Sequence, residues 1–176
     1  MKVISFYMNE QTERAAALLA KDLDRLGIAH DFEQVPDRGE YHKNRLHVPS
    51  WILWKLLDDP SQNVVWINPS GRVLEDPILL KDPECDLGVF RFGPAYWAKT
   101  LFVRNSAPAR ETLRRWANLN LESDLRISCE NLSKAIEELK PKVTLLPPTY
   151  SWVEDGFPST YGKNHKPVIT HPMGGM

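Results

Sequence analysis

The N-terminal hydrophobic pattern predicts a strand, an amphipathic helix and a second strand, in that order. Residues 2–8 form a short apolar run that is typical of a buried strand. In residues 11–26, apolar side chains recur at spacings of three and four, which predicts a helix with one buried face, and Gly27 marks its end. Residues 29–35 predict the next strand. Because two strands joined through a helix usually run parallel, this opening predicts a parallel α/β sheet.

Further strands and helices are predicted along the rest of the chain. Residues 64–67 are apolar throughout, which is typical of a central strand covered on both faces. Residues 37–47 are polar and basic and are predicted to form a loop, whereas residues 147–176 lack regular periodicity. The other predicted strands are 86–92, 99–103 and 143–146, with an aromatic turn at 94–97, and the other predicted helices are 49–57, 107–121 and 128–139.

The composition is that of an ordinary single domain. The chain has 176 residues, of which 42% are hydrophobic, and its formal net charge is -1. This balance gives no general attraction to nucleic acids or anionic membranes. No apolar run approaches the roughly 20 residues that a membrane span needs, and the N-terminus lacks a signal-peptide pattern. We therefore predict a cytoplasmic protein with no membrane partner, in which Cys85 and Cys129 are reduced and buried.

The end of the central strand is the predicted place of a ligand site. In open α/β sheets, ligands bind beyond the carboxyl ends of the strands. Strand 64–67 is followed directly by Asn68-Pro69-Ser70. We therefore expect Asn68 and Ser70 to contact a ligand. Alternatively, the two side chains form only an Asx or ST turn around Pro69.

Residues 64–77 resemble the strand-and-turn signature of GT-A-type nucleotide-diphospho-sugar glycosyltransferases, in which an apolar strand precedes an Asp-x-Asp motif. Residues 99–106, 145–152 and 167–171 resemble later segments of the same family, in the same order. The resemblance covers nearly the whole chain. It implies a single three-layer α/β domain over residues 1–176, with a mainly parallel mixed sheet flanked by helices. The irregular segment 147–176 would close over the site.

This sequence departs from the family at its acidic positions. An Asp-x-Asp motif holds Mg²⁺ or Mn²⁺, which neutralises the diphosphate of the donor, but the chain has the neutral Asn68 and Ser70 there. Where the family often has Asp-Gln at a later helix start, the chain has Ser128-Cys129. Three hypotheses follow: a metal-independent transferase, a nucleotide-sugar-binding or interaction domain without turnover, and a different ligand on the same fold. No cofactor is assigned beyond a weakly held Mn²⁺ or Mg²⁺.

The candidate site residues follow partly from the resemblance and partly from their places in the predicted sheet. Tyr7 and Asn9 lie at the end of the first predicted strand, where the family binds the nucleotide base. The structural alternatives are an aromatic residue at the edge of the core for Tyr7 and a helix cap for Asn9. Cations would replace the metal, and a carboxylate would deprotonate the acceptor in an inverting reaction. The nucleotide-sugar-binding candidates are Tyr7, Asn9, Lys43, Arg45, Asn68, Ser70, Arg91, Trp97, Lys163, Lys166 and His171, and the catalytic candidates are Asp155 and Glu154.

The resemblance implies transfer of a sugar from a nucleotide-sugar donor to an unidentified acceptor, which is a glycan, a protein or a nucleic acid. The chain is small for this class and lacks the insertions that usually build an acceptor site. We therefore expect either a large acceptor on an open face or a partner protein that completes the site. The alternative function is that of a catalytically inactive nucleotide-sugar-binding or protein-interaction domain.

Overall fold

The computed structural model describes residues 1–39, 41–122, 128–153, 156–161 and 164–172. Its elements follow the sequence pattern through most of the chain. The strands are β1 (Lys2–Tyr7), β2 (His30–Gln34), β3 (Val64–Ile67), β4 (Arg72–Val73), β5 (Leu87–Phe92), β6 (Ala95–Val103), β7 (Val143–Leu145), β8 (Trp152–Val153) and β9 (Ile169–His171). The helices are α1 (Glu10–Arg25), α2 (Tyr41–Leu46), α3 (Val48–Asp58), α4 (Ala107–Glu122), α5 (Ser128–Leu139) and α6 (Phe157–Tyr161), with short 3-10 turns at Ile78–Leu80 and Pro148–Tyr150.

A six-stranded mixed sheet has the strand order β2-β1-β3-β6-β5-β7. The pairs β1–β2, β1–β3 and β5–β7 are parallel, and β6 runs antiparallel to both β3 and β5. The prediction of a mainly parallel mixed sheet flanked by helices is therefore confirmed.

Strand β3 shows why the sheet has cores on both faces. Its four residues are all buried, with Val64 and Trp66 in one hydrophobic cluster and Val65 and Ile67 in the other. Side chains alternate between the faces of a strand, so an unbroken apolar run requires cover on both sides. Helices α3, α4 and α5 contribute to the first cluster. Helix α1, β4 and the C-terminal segment contribute to the second.

The C-terminal segment contains short regular elements that the sequence pattern did not predict. Strands β8 and β9 pair in parallel, and β9 pairs antiparallel with β4, which makes a second, three-stranded sheet. This sheet is tied to α1 because Arg72 donates two hydrogen bonds to Asp22, of 2.6 and 2.9 Å. The prediction of an irregular segment is therefore too coarse. Such short strands are set by their pairing with distant segments and leave little periodicity in the sequence.

Two local predictions need correction. The predicted loop 37–47 contains α2, whose residue Asn44 accepts a hydrogen bond from the backbone N–H of Arg38 and so orders the start of the segment. The aromatic turn is displaced, because Tyr96 and Trp97 lie in β6 and the connection from β5 is made by Gly93, at φ 58°, and Pro94. Within the described ranges, no helix has the length and apolar character needed to cross a membrane.

Candidate functional site

Polar side chains collect where the parallel strands β1, β2 and β3 end, and we call this side of the sheet the carboxyl edge. Asn9 follows β1, Asp37 follows β2, and Asn68 follows β3. Lys99 of β6 lies beside Asn68, because the backbone N–H of Asn68 donates to the Lys99 carbonyl at 2.9 Å. The predicted location of a site is therefore the one where the fold brings polar groups together.

Asn9 has a clear structural role at this edge. Asn9 is the N-cap of α1, and its side-chain oxygen accepts a hydrogen bond from the Thr12 backbone N–H at 3.1 Å. In return, the backbone N–H of Asn9 donates to the Thr12 hydroxyl at 3.0 Å. This reciprocal pair is a capping box. The helix-cap alternative is confirmed, whereas a contact between Asn9 and a nucleotide stays a prediction.

Asp37 is a carboxylate at the edge that the sequence did not single out. Its oxygens accept from the side chains of Asn44 and Asn9, both at 3.0 Å, and from the backbone N–H of Gly39 at 2.8 Å. The hydrogen bonds from Asn44, Asn9 and Gly39, in that order, lower the pKa of Asp37. This fixed, ionised group connects the end of β1 to the segment that leads into α2.

Asn68, Pro69 and Ser70 form a tight Asx turn. The side-chain oxygen of Asn68 accepts from the backbone N–H and the hydroxyl of Ser70, at 3.1 and 2.7 Å. The turn leaves no room for a side chain at Gly71, where an added Cβ would lie 2.8 Å from Ile67 Cγ2 and 2.9 Å from His171 Cε1. The turn alternative is thus confirmed, and it packs directly against His171.

His171 is buried under this turn. It is 1% exposed, and its Nε2 lies 2.9 Å from the Thr100 hydroxyl. Burial, together with the positive charge of Lys99, lowers the pKa of His171 to about 3. The imidazole is therefore neutral near pH 7 and does not supply the positive charge that the sequence analysis assigned to it.

Lys99 is the ionisable group at this edge that the sequence analysis missed. Its ammonium donates to the Pro172 carbonyl at 2.8 Å. Burial, followed by the positive charge of Arg45, lowers its pKa to about 8. The sequence offered one signal for this residue, a single lysine within the aromatic and aliphatic run 95–103. The hydrophobic pattern of that run indicates only a strand.

Arg45 of α2 reaches the start of α5, where its guanidinium donates to the Cys129 sulfur at 3.4 Å. The contact crosses two helices that are far apart in sequence. Cys129 is only partly buried, so the prediction of two buried cysteines holds for Cys85 alone. The positive charge of Arg45 also acts on Lys99, which places the two cations near each other.

The other candidates are spread more widely. Tyr7 is partly buried at the end of β1, and Lys43 is exposed on α2. Arg91 lies 5.5 Å from the centre of the Tyr96 ring. Trp97 packs into an aromatic cluster with Phe90, Phe92 and Phe157.

Lys166 precedes β9 and forms an ion pair with Glu75. Within the described residues, no hydrogen bond or ion pair joins it to the Asn68–Ser70 turn. Glu154, Asp155 and Lys163 lie outside the described residues, so their proposed roles stay predictions.

The turn Asn68-Pro69-Ser70 lacks the carboxylates that a divalent metal favours. Mg²⁺ and Mn²⁺ favour carboxylate oxygens, but the Asn68 oxygen already accepts two hydrogen bonds from Ser70. Among the described residues, no group of three or more His, Cys, Asp or Glu side chains could hold a metal ion. Lys99, whose carbonyl accepts from the Asn68 N–H, instead brings a positive charge to the strand next to the turn, and this charge repels a metal.

Solved structures of glycosyltransferases share this fold. A glycosyltransferase involved in the glycosylation of the major capsid of PBCV-1 matches with a TM-score of 0.74 at 16% identity, over 99% of this chain and 93% of that one. GlyE of Streptococcus pneumoniae TIGR4 matches with a TM-score of 0.65 at 14% identity, over 97% of this chain. The match covers 53% of GlyE, so this chain spans about half the length of that protein. The galactosyltransferase LgtC, solved with donor and acceptor sugar analogs, matches with a TM-score of 0.62 at 10% identity, over 99% of this chain and 87% of that one.

No protein-family model matches the chain, and no curated protein matches its sequence. The identities to the solved structures are low, so the comparisons establish the fold. At that level, the resemblance to GT-A-type glycosyltransferases is confirmed.

Proposed function

We propose that this protein transfers a sugar from a nucleotide-sugar donor to an acceptor and needs no divalent metal. The observation that carries the proposal is the carboxyl edge itself. An Asx turn follows the central strand where a glycosyltransferase of this fold would have its acidic motif, and Lys99 lies beside the turn. The positive charge of Arg45 acts on Lys99. The solved structures named above, which share the fold, are of glycosyltransferases.

The polar groups suit the parts of such a donor. Tyr7 ends β1 and Asn9 follows it, and they would offer an aromatic ring and an amide to the nucleotide. Asp37 adds an acceptor for hydroxyl or amino groups. Asn68 and Ser70 lie at the next strand end, where they would contact the sugar or its diphosphate. The segment 147–176 would close over this edge, since β9 ends at His171 against the turn.

The chemistry breaks the bond between the anomeric carbon and a diphosphate oxygen, and the bonding electrons stay with the leaving nucleoside diphosphate. A new bond joins the anomeric carbon to the acceptor oxygen. The acceptor hydroxyl gives its proton to a base, for which Asp155 or Glu154 is our candidate in an inverting reaction. Positive groups around the leaving diphosphate lower the barrier by offsetting its developing charge.

Calorimetry with UDP-, GDP- and TDP-sugars tests the proposal, with each donor titrated once in EDTA and once in Mn²⁺. We expect one nucleotide class to bind with the same affinity in both buffers. If no donor binds, the proposed function is wrong. Binding that appears only with Mn²⁺ would contradict the metal-independent form.

A turnover assay then separates the enzyme from the alternative, a catalytically inactive binding or interaction domain. With the donor found by calorimetry, we expect release of nucleoside diphosphate when glycan, protein or nucleic-acid acceptors are supplied. Binding without release, for every acceptor and with candidate partner proteins added, would support the inactive domain. A cytoplasmic location remains a prediction from composition.

A further inference from the structure

Strand β2 lies at one end of the six-stranded sheet, and in the described part of the chain it pairs with β1 alone. The Ala29 carbonyl and the Val35 N–H both bond to β1. Since backbone groups alternate in direction along a strand, every second residue of β2 directs its N–H and C=O away from the sheet. Such a row of unpaired groups is a template for an added strand. The outward residues are His30, Phe32 and Gln34.

The two ends of the sheet are protected to different degrees. Strand β7, at the far end, has only three residues, with Lys140 and Lys142 before it and Pro147 close behind. Short length, lysine and proline are features that keep an edge strand from pairing with another chain. Strand β2 has five residues, and none of them is Lys or Pro. It is therefore the end of the sheet that is open to an added strand.

Helix α3 places an exposed aromatic ring beside this strand. Trp54 is 49% exposed, and the centre of its ring lies 4.8 Å from the Lys55 ammonium. The same ammonium donates to Glu33 of β2, so the indole lies close to that strand. Exposed tryptophans are frequent anchors of protein interfaces. Backbone pairing and an apolar contact are therefore available side by side.

The charge on the α3 side of β2 is negative. Among the described residues, four carboxylates and two ammonium groups gather there, at Asp31, Glu33, Asp58, Asp59, Lys2 and Lys55. An added strand points every second side chain to this side. Basic side chains at those positions complement the carboxylates and suit the face of the Trp54 ring. A second copy of β2 would instead bring like charges opposite one another, which is destabilising.

We propose that the outer side of β2 and Trp54 bind an extended segment of a partner protein in which basic and apolar residues alternate. The segment adds to the sheet as a seventh strand, and its backbone bonds to the outward groups of β2. Its basic side chains face Asp31 and Glu33. Its apolar side chains lie on the opposite side, against the partly buried Phe32. Such binding does not depend on the proposed sugar transfer.

Fluorescence anisotropy with labelled peptides of about ten residues tests the chemistry of the partner. One panel alternates Lys with Val, Ile, Leu or Tyr, a second has Glu in place of Lys, and a third repeats the first with methylated backbone nitrogens. We expect a Lys peptide to bind the wild type at least about tenfold more tightly than its Glu and N-methyl counterparts. If no Lys peptide binds, or if the N-methyl peptides bind equally well, the proposal is wrong.

Variants of the full chain locate the peptide, and circular dichroism checks that each is folded. Trp54→Ala removes the indole, and its control is Leu145→Ala, at a residue of β7 that is 57% exposed. Gln34→Pro removes an outward N–H that the pairing with β1 does not use, and its control is Gln34→Ala. We expect Trp54→Ala and Gln34→Pro to bind at least about fivefold more weakly, and the controls to stay within about twofold of the wild type. Unchanged affinity in Trp54→Ala would contradict the assigned surface.

Residue-resolved hydrogen exchange reports on strand addition itself. Without peptide, the outward N–H groups of His30, Phe32 and Gln34 should exchange faster than those of Asp31 and Glu33, which bond to β1. Saturating peptide should slow at least two of the outward groups by about tenfold or more. Protection confined to other strands would overturn the proposal. So would a dimer in sedimentation that Gln34→Pro abolishes, because the occupant would then be a second copy of this chain.

Discussion

Two lysines lie at opposite edges of the six-stranded sheet, and their partners differ. Lys55 of α3 is 7% exposed near the starts of β1 and β3, where it forms ion pairs with Asp31 at 3.1 Å and Glu33 at 2.5 Å. Burial alone would lower its pKa, but hydrogen bonds to the two carboxylates outweigh this and raise it. Lys99, at the carboxyl edge, has a backbone carbonyl and a neighbouring cation, and its pKa is lowered to about 8.

The difference separates a charge that holds the fold together from one that is available to a ligand. At Lys55 the protein itself supplies the counter-charge, and the rings of Trp51 and Trp54 lie 5.4 and 4.8 Å from its ammonium. At Lys99 no carboxylate among the described residues forms an ion pair with the ammonium, which donates instead to the Pro172 carbonyl. Both lysines are at least partly buried, so burial alone does not distinguish them. The difference lies in their partners, which are carboxylates for Lys55 and a backbone carbonyl for Lys99.

The largest effect on stability is expected for Lys55→Met. This change leaves Asp31 and Glu33 without their shared partner, and it should lower the free energy of unfolding by about 2–3 kcal/mol. The value is below that for a fully buried pair because the carboxylates are 30% and 38% exposed. Urea unfolding at pH 7 measures the change, with Lys21→Met, at an exposed lysine of α1, as the control. A loss below about 1 kcal/mol would remove the contrast between the two edges.

Most of the fold could be predicted from the sequence, because its main elements have strong local patterns. The apolar run 64–67 and the three-and-four spacing of 11–26 correspond to β3 and α1 in the structure. Helix α2 was missed because its polar residues show no buried face. Strand β8 was missed, and β9 was expected only from the family resemblance of residues 167–171, because short strands depend on distant pairing partners.

The sequence predicts a place for the candidate site but not all of the groups that the fold brings there. The rule that ligands bind beyond the carboxyl ends of the strands placed the candidate site at Asn68 and Ser70. The positions of these two residues depend on the end of a single strand. Lys99 was missed because its lowered pKa comes from burial in the folded protein and then from the charge of Arg45, which reaches it from α2. Such convergence leaves no pattern within any single segment of the chain.

An intermediate effect is expected for His171, the second group at the carboxyl edge without a charge partner. Its pKa is about 3 in the folded protein, below the usual 6.5 of the unfolded chain. Between these values the unfolded chain binds more protons, so the free energy of unfolding falls as the pH falls, by up to about 1.4 kcal/mol per pH unit. From pH 6.5 to pH 5 the loss should be about 1.5–2 kcal/mol.

Denaturant unfolding at several pH values, for the wild type and for His171→Gln, measures this contribution. Burial also lowers the pKa of His47, with a smaller effect from Arg38. The variant should therefore lose part of the pH dependence and keep the rest. An unchanged slope in His171→Gln would show that the imidazole is not held neutral in the fold.

The smallest effect on stability, and the sharpest contrast with Lys55, is expected for Lys99→Met. Methionine removes a cation that lies beside Arg45 and keeps most of the side-chain volume, at the cost of one hydrogen bond to Pro172. At pH 7 the free energy of unfolding should be unchanged or higher by up to about 1 kcal/mol, a modest gain because Lys99 is only partly buried.

The wild type carries the cost of the charge in full below pH 8. It loses that cost as the pH rises toward 10.5, because the folded protein releases the proton first. The advantage of Lys99→Met in urea unfolding should therefore shrink above pH 8. A destabilisation of more than about 1 kcal/mol at pH 7 would instead make Lys99 a structural lysine like Lys55. A variant that is at least as stable as the wild type but binds diphosphate more weakly is the result that a ligand-binding lysine predicts.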